Sequence, residues 1–360
     1  MRRISINMKG LSLFAGAGIG ETYLHSCGID IVVANELIER RANLYKILYP
    51  KCNMICGDIT NENIFNKIIS SSENIEFLIA SPPCQGMSVA GKNRCNETMI
   101  NDDRNYLINY VIKAVEKLSP RFILIENVPA LLKLQLPYKG QKCKVTEILS
   151  MKFGSKYIIE SKIVDSADYG VPQTRLRAII KMYVKEEMWS WPCIVKKKVT
   201  VREAIGYLPS LEAGETSEIK WHFARKHNAR HIEWMKHTPT GMSAFMNPIY
   251  FPQKKDGTRI KGYESSYRRI RWDEPAPTIT IRNDAISSQR NVHPGRLLTD
   301  GTYSDARVLT PLELMILNSL PNDWKIPDNT PEILIRQVIG ESIPPLLIKK
   351  LVGEIECLKK

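Results

Sequence analysis

Short apolar runs alternate with helix-like segments through the first half of this chain. The runs "LSLF", "IVVA", "NMIC", "EFLIA" and "RFILIEN" are typical of strands, and the segments between them, such as "IERRANLYKIL" and "NYLINYVIKAVEKL", have helical periodicity. The first of these helices is predicted to begin at about Gly18. Strands that alternate with helices favour right-handed crossovers, and therefore an α/β fold with a doubly wound, mainly parallel sheet. Two later runs, "YIIESKIVDSADYG" and "LRAIIKMYV", predict two closing strands, for which a hairpin is one arrangement.

The composition and the periodicity of the sequence change after this α/β part. Residues 1–185 are predicted to form the α/β domain, whereas residues 186–325 are rich in Trp, His, Arg, Lys, Pro and Gly and lack periodicity. We expect the latter to form a second, smaller and irregular domain. Helical periodicity returns in residues 326–360, which we expect to pack back onto the first domain.

The net charge indicates what kind of partner the protein binds, and the cysteine content indicates its cellular compartment. The 360 residues include 51 Lys and Arg against 38 Asp and Glu, and this net charge of +13 favours a polyanionic partner such as nucleic acid. The eight cysteines include no CxxC pair, and no apolar run reaches the roughly 18 residues that a membrane span requires. We therefore expect a cytoplasmic protein with no disulfide framework and no membrane partner.

Two sets of residues could be considered as metal ligands. Cys52 and Cys56 resemble half of a metal site, but no second half follows at a suitable spacing. Four histidines lie close together in the second domain, among arginine and lysine residues: His222, His227, His231 and His237. A polar, basic surface explains them better than a zinc site does, so no metal is expected.

Three successive strand ends carry residues that suit an adenosine-containing ligand. Gly16, Gly18 and Gly20 follow the first strand, where glycines allow a tight turn and close approach of a ligand to the backbone. Glu36 ends the second strand and could accept from ribose hydroxyls; Asp58 ends the third and could accept from an adenine amino group. Because the chain lacks a GxGxxG motif and a phosphate-gripping lysine here, S-adenosylmethionine is favoured over a dinucleotide or ATP.

A cysteine follows the fourth strand in "ASPPCQGMSVAG". The two prolines stiffen the backbone before Cys84, which suits a nucleophilic thiol rather than an inert, buried one. Glu126 ends the neighbouring strand in "IENV", and "QTRLR" supplies Arg175 and Arg177 from a later strand. A thiol, a carboxylate and guanidinium groups beside a methyl donor suit attack on an electron-poor ring.

These motifs together resemble the bacterial DNA (cytosine-5-)-methyltransferase family, of the restriction-modification type. The ordered set covers nearly the whole chain: "FAGAGIGET", "ANE", "GDIT", "SPPCQGMS", "DDRNYL", "ENV", "QTRLR", "RRIRWDEPAPTIT" and "RQVIGESIPP". The resemblance implies a Rossmann-like, S-adenosylmethionine-dependent catalytic domain. It also implies that residues 186–325 recognise the target sequence in duplex DNA.

The resemblance also implies a role for each site residue. Cys84 would attack C6 of a flipped-out cytosine, Glu126 would hydrogen-bond the ring N3 and the exocyclic amine, and Arg177, with Arg175 close by, would hold the base O2 or its phosphate. Flipping is required because a stacked and paired base hides the faces that the thiol and the methyl group must reach. The donor pocket would be lined by Phe14, Gly16, Gly18, Gly20, Glu36, Leu37, Asp58, Ile59, Pro83 and Ser342.

The chain departs from the family pattern at two positions. Leu37 stands where an aromatic residue often stacks on adenine, and Glu341 stands where the last motif usually has asparagine. Two alternatives to DNA methylation stay open: an RNA cytosine methyltransferase of the tRNA-modifying branch, and a catalytically inactive DNA-binding regulator. The large basic second domain argues against the first, and the presence of Cys84, Glu126 and Arg177 against the second. We expect the enzyme to act as a monomer, alongside a separate restriction endonuclease.

Overall fold

The computed structural model describes residues 7–83 and 106–359. The chain divides into two compact units. The first comprises Met1–Asp165, Leu176–Cys193 and Ile348–Lys360, and the second comprises Ser166–Arg175 and Ile194–Leu347. These divisions differ from the predicted boundaries in two ways. Residues 166–175, between the two closing strands, belong to the second unit, and the predicted C-terminal segment, residues 326–360, is divided between the units at residue 348. No helix within the described ranges combines the length and apolarity that a bilayer crossing needs.

The first unit contains a mixed sheet with parallel and antiparallel parts. Its strands are β1 (Met8–Leu13), β2 (Ile29–Glu36), β3 (Asn53–Cys56), β4 (Phe77–Ala80), β5 (Phe122–Asn127), β8 (Tyr157–Asp165) and β9 (Leu176–Val184). Among the described residues these seven strands have the order β3-β2-β1-β4-β5-β9-β8. The first five are parallel, and β9 runs antiparallel to both β5 and β8. The predicted α/β fold with a mainly parallel sheet is therefore confirmed.

Helices follow the parallel strands as the periodicity predicts. They are α1 (Glu39–Leu48), α2 (Glu62–Ser71), α3 (Ile108–Leu118) and α4 (Val145–Phe153), and a small hairpin of β6 (Gln135–Tyr138) and β7 (Gln141–Lys144) precedes α4. In α3 the buried residues recur at helical spacing, from Ile108 through Val111 and Ile112 to Val115, and pack into the apolar core beside β4 and β5. At the start of α2 the Asn61 side chain accepts from the backbone N–H of Asn63, which caps the helix.

The prediction of a helix beginning near Gly18 is wrong. Two short 3-10 helices, Ile19–Glu21 and His25–Cys27, occupy this stretch instead. Gly18 and Gly28 both adopt left-handed backbone conformations, with φ of 75° and 85°, and so bound a compact turn instead of continuing a helix. The glycines that make the turn therefore also prevent an α-helix.

The second unit has short helices separated by irregular backbone. They are α5 (Val201–Ile205), α6 (Ala229–Lys236), α7 (Pro311–Leu317), α8 (Glu332–Glu341) and α9 (Pro345–Val352), the last of which continues across the division into the first unit. A small apolar cluster includes Trp234, Met235 and Val308. Beside it, buried ion pairs cross-link the irregular backbone, and the guanidinium of Arg307 donates to both carboxylate oxygens of Glu313 at 2.8 and 3.0 Å.

The histidines of the second unit do not form the polar surface that the sequence predicts. His222 is fully buried, with its Nε2 atom 3.7 Å from the Glu313 carboxylate. His231 stacks on Trp234, and His237 stacks on Tyr250 with ring centroids 3.4 Å apart. A buried carboxylate therefore faces His222, and aromatic rings pack against His231 and His237. Across the described residues, no group of three or more His, Cys, Asp or Glu side chains is arranged to hold a metal ion.

The end of the chain packs within the first unit. Ile355 bridges to Trp189, and the Trp189 indole N–H donates to the backbone carbonyl of Leu351 at 2.7 Å. The Phe122 ring of β5 lies edge-on to the same indole, with centroids 5.8 Å apart. One buried tryptophan thus connects the last residues of the chain to the central sheet.

Candidate active site

The five parallel strands end at one edge of the sheet. Leu13 lies opposite Asn35 on one side and Ala80 on the other, and Ala80 lies opposite Ile125. Because this register keeps the strand ends level, the residues that follow them lie along a single edge. In an open α/β sheet this carboxyl edge is where ligands bind.

The turn after β1 has the left-handed backbone that its glycines permit. Phe14, Gly16 and Gly18 have φ of 59°, 58° and 75°. Gly20 lies in the 3-10 helix Ile19–Glu21. At Gly18 an added Cβ would lie 2.4 Å from Cε2 of Tyr49, so this position has no room for a side chain. The turn is therefore narrow, and its shape depends on glycine.

Glu36 connects this turn to the end of β2. Its Oε2 atom accepts from the backbone N–H of Gly16 at 2.9 Å, and its Oε1 atom accepts from the backbone N–H of Ile38 at the same distance. The Arg41 guanidinium lies 3.7 Å from Oε1. Each carboxylate oxygen can accept more than one hydrogen bond, so these contacts leave capacity for ribose hydroxyls. Glu36 thus shapes the turn as well as standing where a ribose acceptor is predicted.

The other predicted adenosine contacts lie at the ends of β2 and β3. Leu37 is 61% exposed, which is unusual for a leucine beside a buried strand and leaves an apolar surface for a flat ring. Asp58 is exposed, and its Oδ1 atom accepts from the backbone N–H of Thr60 at 2.9 Å. Ile59 is buried and contributes to the core beneath them.

The segment after β4 is held by hydrogen bonds to its neighbours. Ser81 donates through Oγ to the carbonyl of Phe14 at 3.1 Å, and the side-chain amide of Asn127 donates to the carbonyl of Pro82 at 3.0 Å. These bonds fix the backbone up to Pro83, which is partly exposed. Cys84, the predicted nucleophile, lies outside the described residues.

Glu126 and Arg177 form a close ion pair within the first unit. Glu126 is the buried, next-to-last residue of β5, and Arg177 is the second residue of β9. The Nε atom of Arg177 lies 2.6 Å from Oε1 of Glu126. The geometry is that of a charge-assisted hydrogen bond, which orients both side chains. The structure therefore brings together two of the predicted catalytic residues.

Arg175 and Ser342 lie in the second unit, among partners of their own. The buried Arg175 guanidinium donates to the carbonyls of Ile279 and Gly340, at 2.7 and 3.1 Å. The Ser342 hydroxyl donates to the carbonyl of Ile339 at 2.9 Å and accepts from the Asn318 amide at 3.0 Å. Both side chains cross-link backbone here, a role that the sequence analysis did not foresee.

Sequence analysis missed two features of the carboxyl edge of the sheet, where the methyl donor is predicted to bind. Asn127, within the "ENV" motif, braces the backbone before Cys84, and an amide beside a strand-end glutamate could have indicated this. Glu21 is buried behind the glycine turn, and it faces Tyr45 of α1 and Tyr49, the residue that follows α1. An acid directly after a glycine motif was the available signal.

A separate cavity of about 320 Å³ in the second unit, lined in part by Trp221 and Trp324, contains none of the predicted site residues.

Comparison with known proteins identifies the family. The model of the C-5 cytosine-specific DNA methylases matches residues 8–357. The chain belongs to this family. It is 61% identical to the type II methyltransferase M1.HgaI of Avibacterium volantium over 97% of this chain and 98% of that protein. It is 28% identical to the type II methyltransferase M1.HphI of Haemophilus parahaemolyticus, over 96% and 86% of the two chains.

Solved structures share the fold. A prophage-encoded protein of E. coli superposes with a TM-score of 0.70 at 20% identity, covering 97% of this chain and 98% of that one. The Entamoeba histolytica methyltransferase EhMeth superposes with a TM-score of 0.66 at 16% identity, covering 98% and 99%. Family membership makes this chain a DNA cytosine-5 methyltransferase, and S-adenosylmethionine is the methyl donor that the family implies.

Proposed function

We propose that this enzyme methylates C5 of a flipped-out cytosine within a specific short sequence of duplex DNA, through a covalent bond between Cys84 and C6. The observation that best supports the proposal is the ion pair between Glu126 and Arg177, whose Oε1 and Nε atoms lie 2.6 Å apart. Asn127, the residue after Glu126, donates a hydrogen bond to the carbonyl of Pro82, two residues before Cys84. A paired carboxylate and guanidinium can bind neighbouring polar atoms on one edge of a small ring, such as N3 and O2 of cytosine.

Residues of this chain can be assigned to the attack on C6, to holding the base and to holding the donor. The Cys84 thiolate adds to C6, which makes C5 nucleophilic toward the sulfonium methyl group. Glu126 hydrogen-bonds N3 and the exocyclic amine, and Arg177 holds O2 or the adjacent phosphate. After methyl transfer, a base removes the C5 proton and the Cys84–C6 bond breaks, which releases methylated DNA. Glu36, Leu37 and Asp58 hold the adenosine part of the donor.

We further propose that the enzyme protects DNA from a separate restriction endonuclease with the same target. The support is the similarity to type II methyltransferases over nearly the full chain. Residues 186–325 carry the target recognition in this proposal, and the net charge of +13, which belongs to the whole chain, favours contacts with phosphates. Affinity for unrelated duplex DNA should then fall about 10³-fold or more between 50 and 200 mM salt. A salt-independent affinity would contradict this part.

Trapping with 5-fluorocytosine tests the covalent step. Fluorine at C5 cannot leave as a cation, so the wild-type enzyme with S-adenosylmethionine and a fluorinated target duplex should form a complex that resists denaturation. Cys84→Ser should form none, because a hydroxyl is a poor nucleophile near neutral pH. Cys193→Ser, which changes an exposed cysteine, is the matched control and should keep the adduct. Peptide mapping that finds the DNA on another cysteine would disprove the assignment of Cys84.

A further inference from the structure

A buried carboxyl group lies directly behind the glycine turn. Glu21 is 6% exposed. Its Oε1 atom accepts from the Ser12 hydroxyl on β1 at 2.5 Å, and its Oε2 atom accepts from the Tyr45 hydroxyl on α1. The residue follows Gly20 directly, so the acid is part of the turn and not of the surrounding scaffold. None of the proposed catalytic steps uses it.

Tyr45 of α1 and Tyr49, which follows the last residue of that helix, connect this carboxyl to the turn. The Tyr45 and Tyr49 rings lie with centroids 4.8 Å apart. The Tyr49 hydroxyl donates to the carbonyl of Gly18 at 2.7 Å. Because an added Cβ at Gly18 would lie within 2.8 Å of both rings, the turn rests on them without a gap. A shift of Glu21 would therefore move the tyrosines, and with them the backbone of the turn.

Among the described residues, the titratable groups that face Glu21 supply no positive charge. The titratable side chains that face it are Tyr45, Tyr49 and Cys52. Burial raises the pKa of Glu21 to about 7, although its hydrogen bonds from Ser12 and Tyr45 oppose this rise. Burial also raises the pKa of Cys52 to about 12 and that of Tyr49 above its usual range, so both stay neutral. Glu21 is therefore the group in this cluster whose charge changes in the neutral range.

We propose that Glu21 is a positioning residue for the methyl donor, which holds Tyr45 and Tyr49 against the Gly18 turn so that the turn keeps its donor-binding shape. The neutral carboxyl is the competent form, since one of the two hydroxyls can rotate to accept its proton while the other still donates, and no charge is buried. The ionised form places an uncompensated charge in the interior, which is relieved only by admitting water or moving α1. This inference rests on the proposed donor site.

Calorimetric binding of S-adenosylhomocysteine between pH 6 and 9 tests the proposal. Above pH 7 the dissociation constant of the wild type should rise, by at most about tenfold per pH unit. Glu21→Gln keeps the shape and hydrogen bonds of the neutral acid, so its affinity should match the wild type at pH 6 and vary less with pH. Glu21→Ala should bind about 2- to 10-fold more weakly at pH 6, because two buried hydroxyls lose their partner. Circular dichroism would verify that each variant is folded.

A matched pair of tyrosine variants separates positioning from general stability. Tyr49→Phe removes the bond to the Gly18 carbonyl and should weaken donor binding about 2- to 10-fold. Tyr157→Phe removes an equivalent buried bond, from Tyr157 to the carbonyl of Pro120 at 2.8 Å, and should leave donor binding unchanged. The same pH dependence in Glu21→Gln as in the wild type, or equal effects of both tyrosine variants, would overturn this proposal alone. Absence of wild-type binding at every pH would overturn the proposed donor site itself.

Discussion

Gly18→Ala measures how tightly the donor turn is packed. The residue has φ of 75°, where a Cβ costs about 1–2 kcal/mol of strain. The new Cβ would also lie 2.4 Å from Cε2 of Tyr49 and 2.8 Å from Cε2 of Tyr45, and overpacking of this kind costs about 1–3 kcal/mol. Together the two effects should lower the free energy of unfolding by about 2–5 kcal/mol.

Gly140→Ala is the matched control for backbone strain. Gly140 has φ of 80°, similar to Gly18, but no atom lies within 4 Å of its added Cβ. This variant should therefore lose only the strain, about 1–2 kcal/mol. Chemical denaturation gives the free energy of unfolding of the two variants and the wild type, provided that its dependence on denaturant concentration is the same in all three. The extra loss in Gly18→Ala relative to Gly140→Ala is the cost of the contact with the tyrosine rings.

A second substitution tests the cause of that difference. Tyr49→Leu removes the ring that meets the new Cβ, so the clash should cost less in the double variant Gly18→Ala/Tyr49→Leu than in Gly18→Ala alone. Equal losses in Gly18→Ala and Gly140→Ala would refute the reasoning, because they would show that the rings yield without cost. Additive effects of Gly18→Ala and Tyr49→Leu would refute it equally.

Four further predictions address the catalytic pair, the buried arginine, and the pH dependence of stability at His227 and at Glu21. Arg177→Gln should lower the methylation rate constant about 10²- to 10³-fold while donor binding is retained, since it removes the partner of Glu126; rates and calorimetry on one preparation check this. Arg175→Met leaves two main-chain carbonyls without their donor and should cost about 2–4 kcal/mol of stability, more than Arg177→Gln costs, in denaturant unfolding. Burial lowers the pKa of His227 to about 4 and raises that of Glu21 to about 7. Because the unfolded chain then binds a proton at His227 that the folded one does not, stability should fall as pH drops from about 6.5 to 4, less so in His227→Gln. For Glu21 the unfolded chain loses its proton first, so above pH 7 the wild type should be less stable than Glu21→Gln, by up to about 3 kcal/mol.

Local sequence pattern was sufficient to predict the sheet and its functional edge. Strand runs such as "EFLIA" are apolar throughout because both faces of the parallel sheet are covered, and each ends at a turn that holds a polar or small residue. Level strand ends follow from parallel pairing, so Glu36, Asp58 and Glu126 could be predicted to share an edge. The same reasoning predicts a helix at Gly18, which is wrong because Gly18 adopts a positive φ of 75° that the local pattern does not reveal.

The second unit could not be predicted in this way. Its interior contains buried charges: Arg269 donates to the main-chain carbonyl of His293, and Arg307 donates to that of Leu211 as well as to the nearby Asp305 carboxylate. In the sequence these residues are indistinguishable from a basic surface, because local spacing does not reveal a partner distant along the chain. For this reason some arginines that the sequence places in a basic surface, such as Arg269 and Arg307, stabilise the interior of the second unit instead.

The "QTRLR" motif shows how a correct motif can carry two different roles. Alternate residues of a strand share one face, so Gln173, Arg175 and Arg177 would converge if the whole motif were extended. The strand β9 begins only at Leu176, however, and the residues before it belong to the second unit. There the Gln173 amide accepts from the backbone N–H of Ile279 at 3.1 Å, and Arg175 donates to the carbonyl of the same residue. Only Arg177 reaches Glu126. The proposed catalytic role therefore belongs to Arg177, whereas Gln173 and Arg175 hold the backbone of the second unit. Loss of Arg175 should for this reason lower the stability before it lowers the reaction rate.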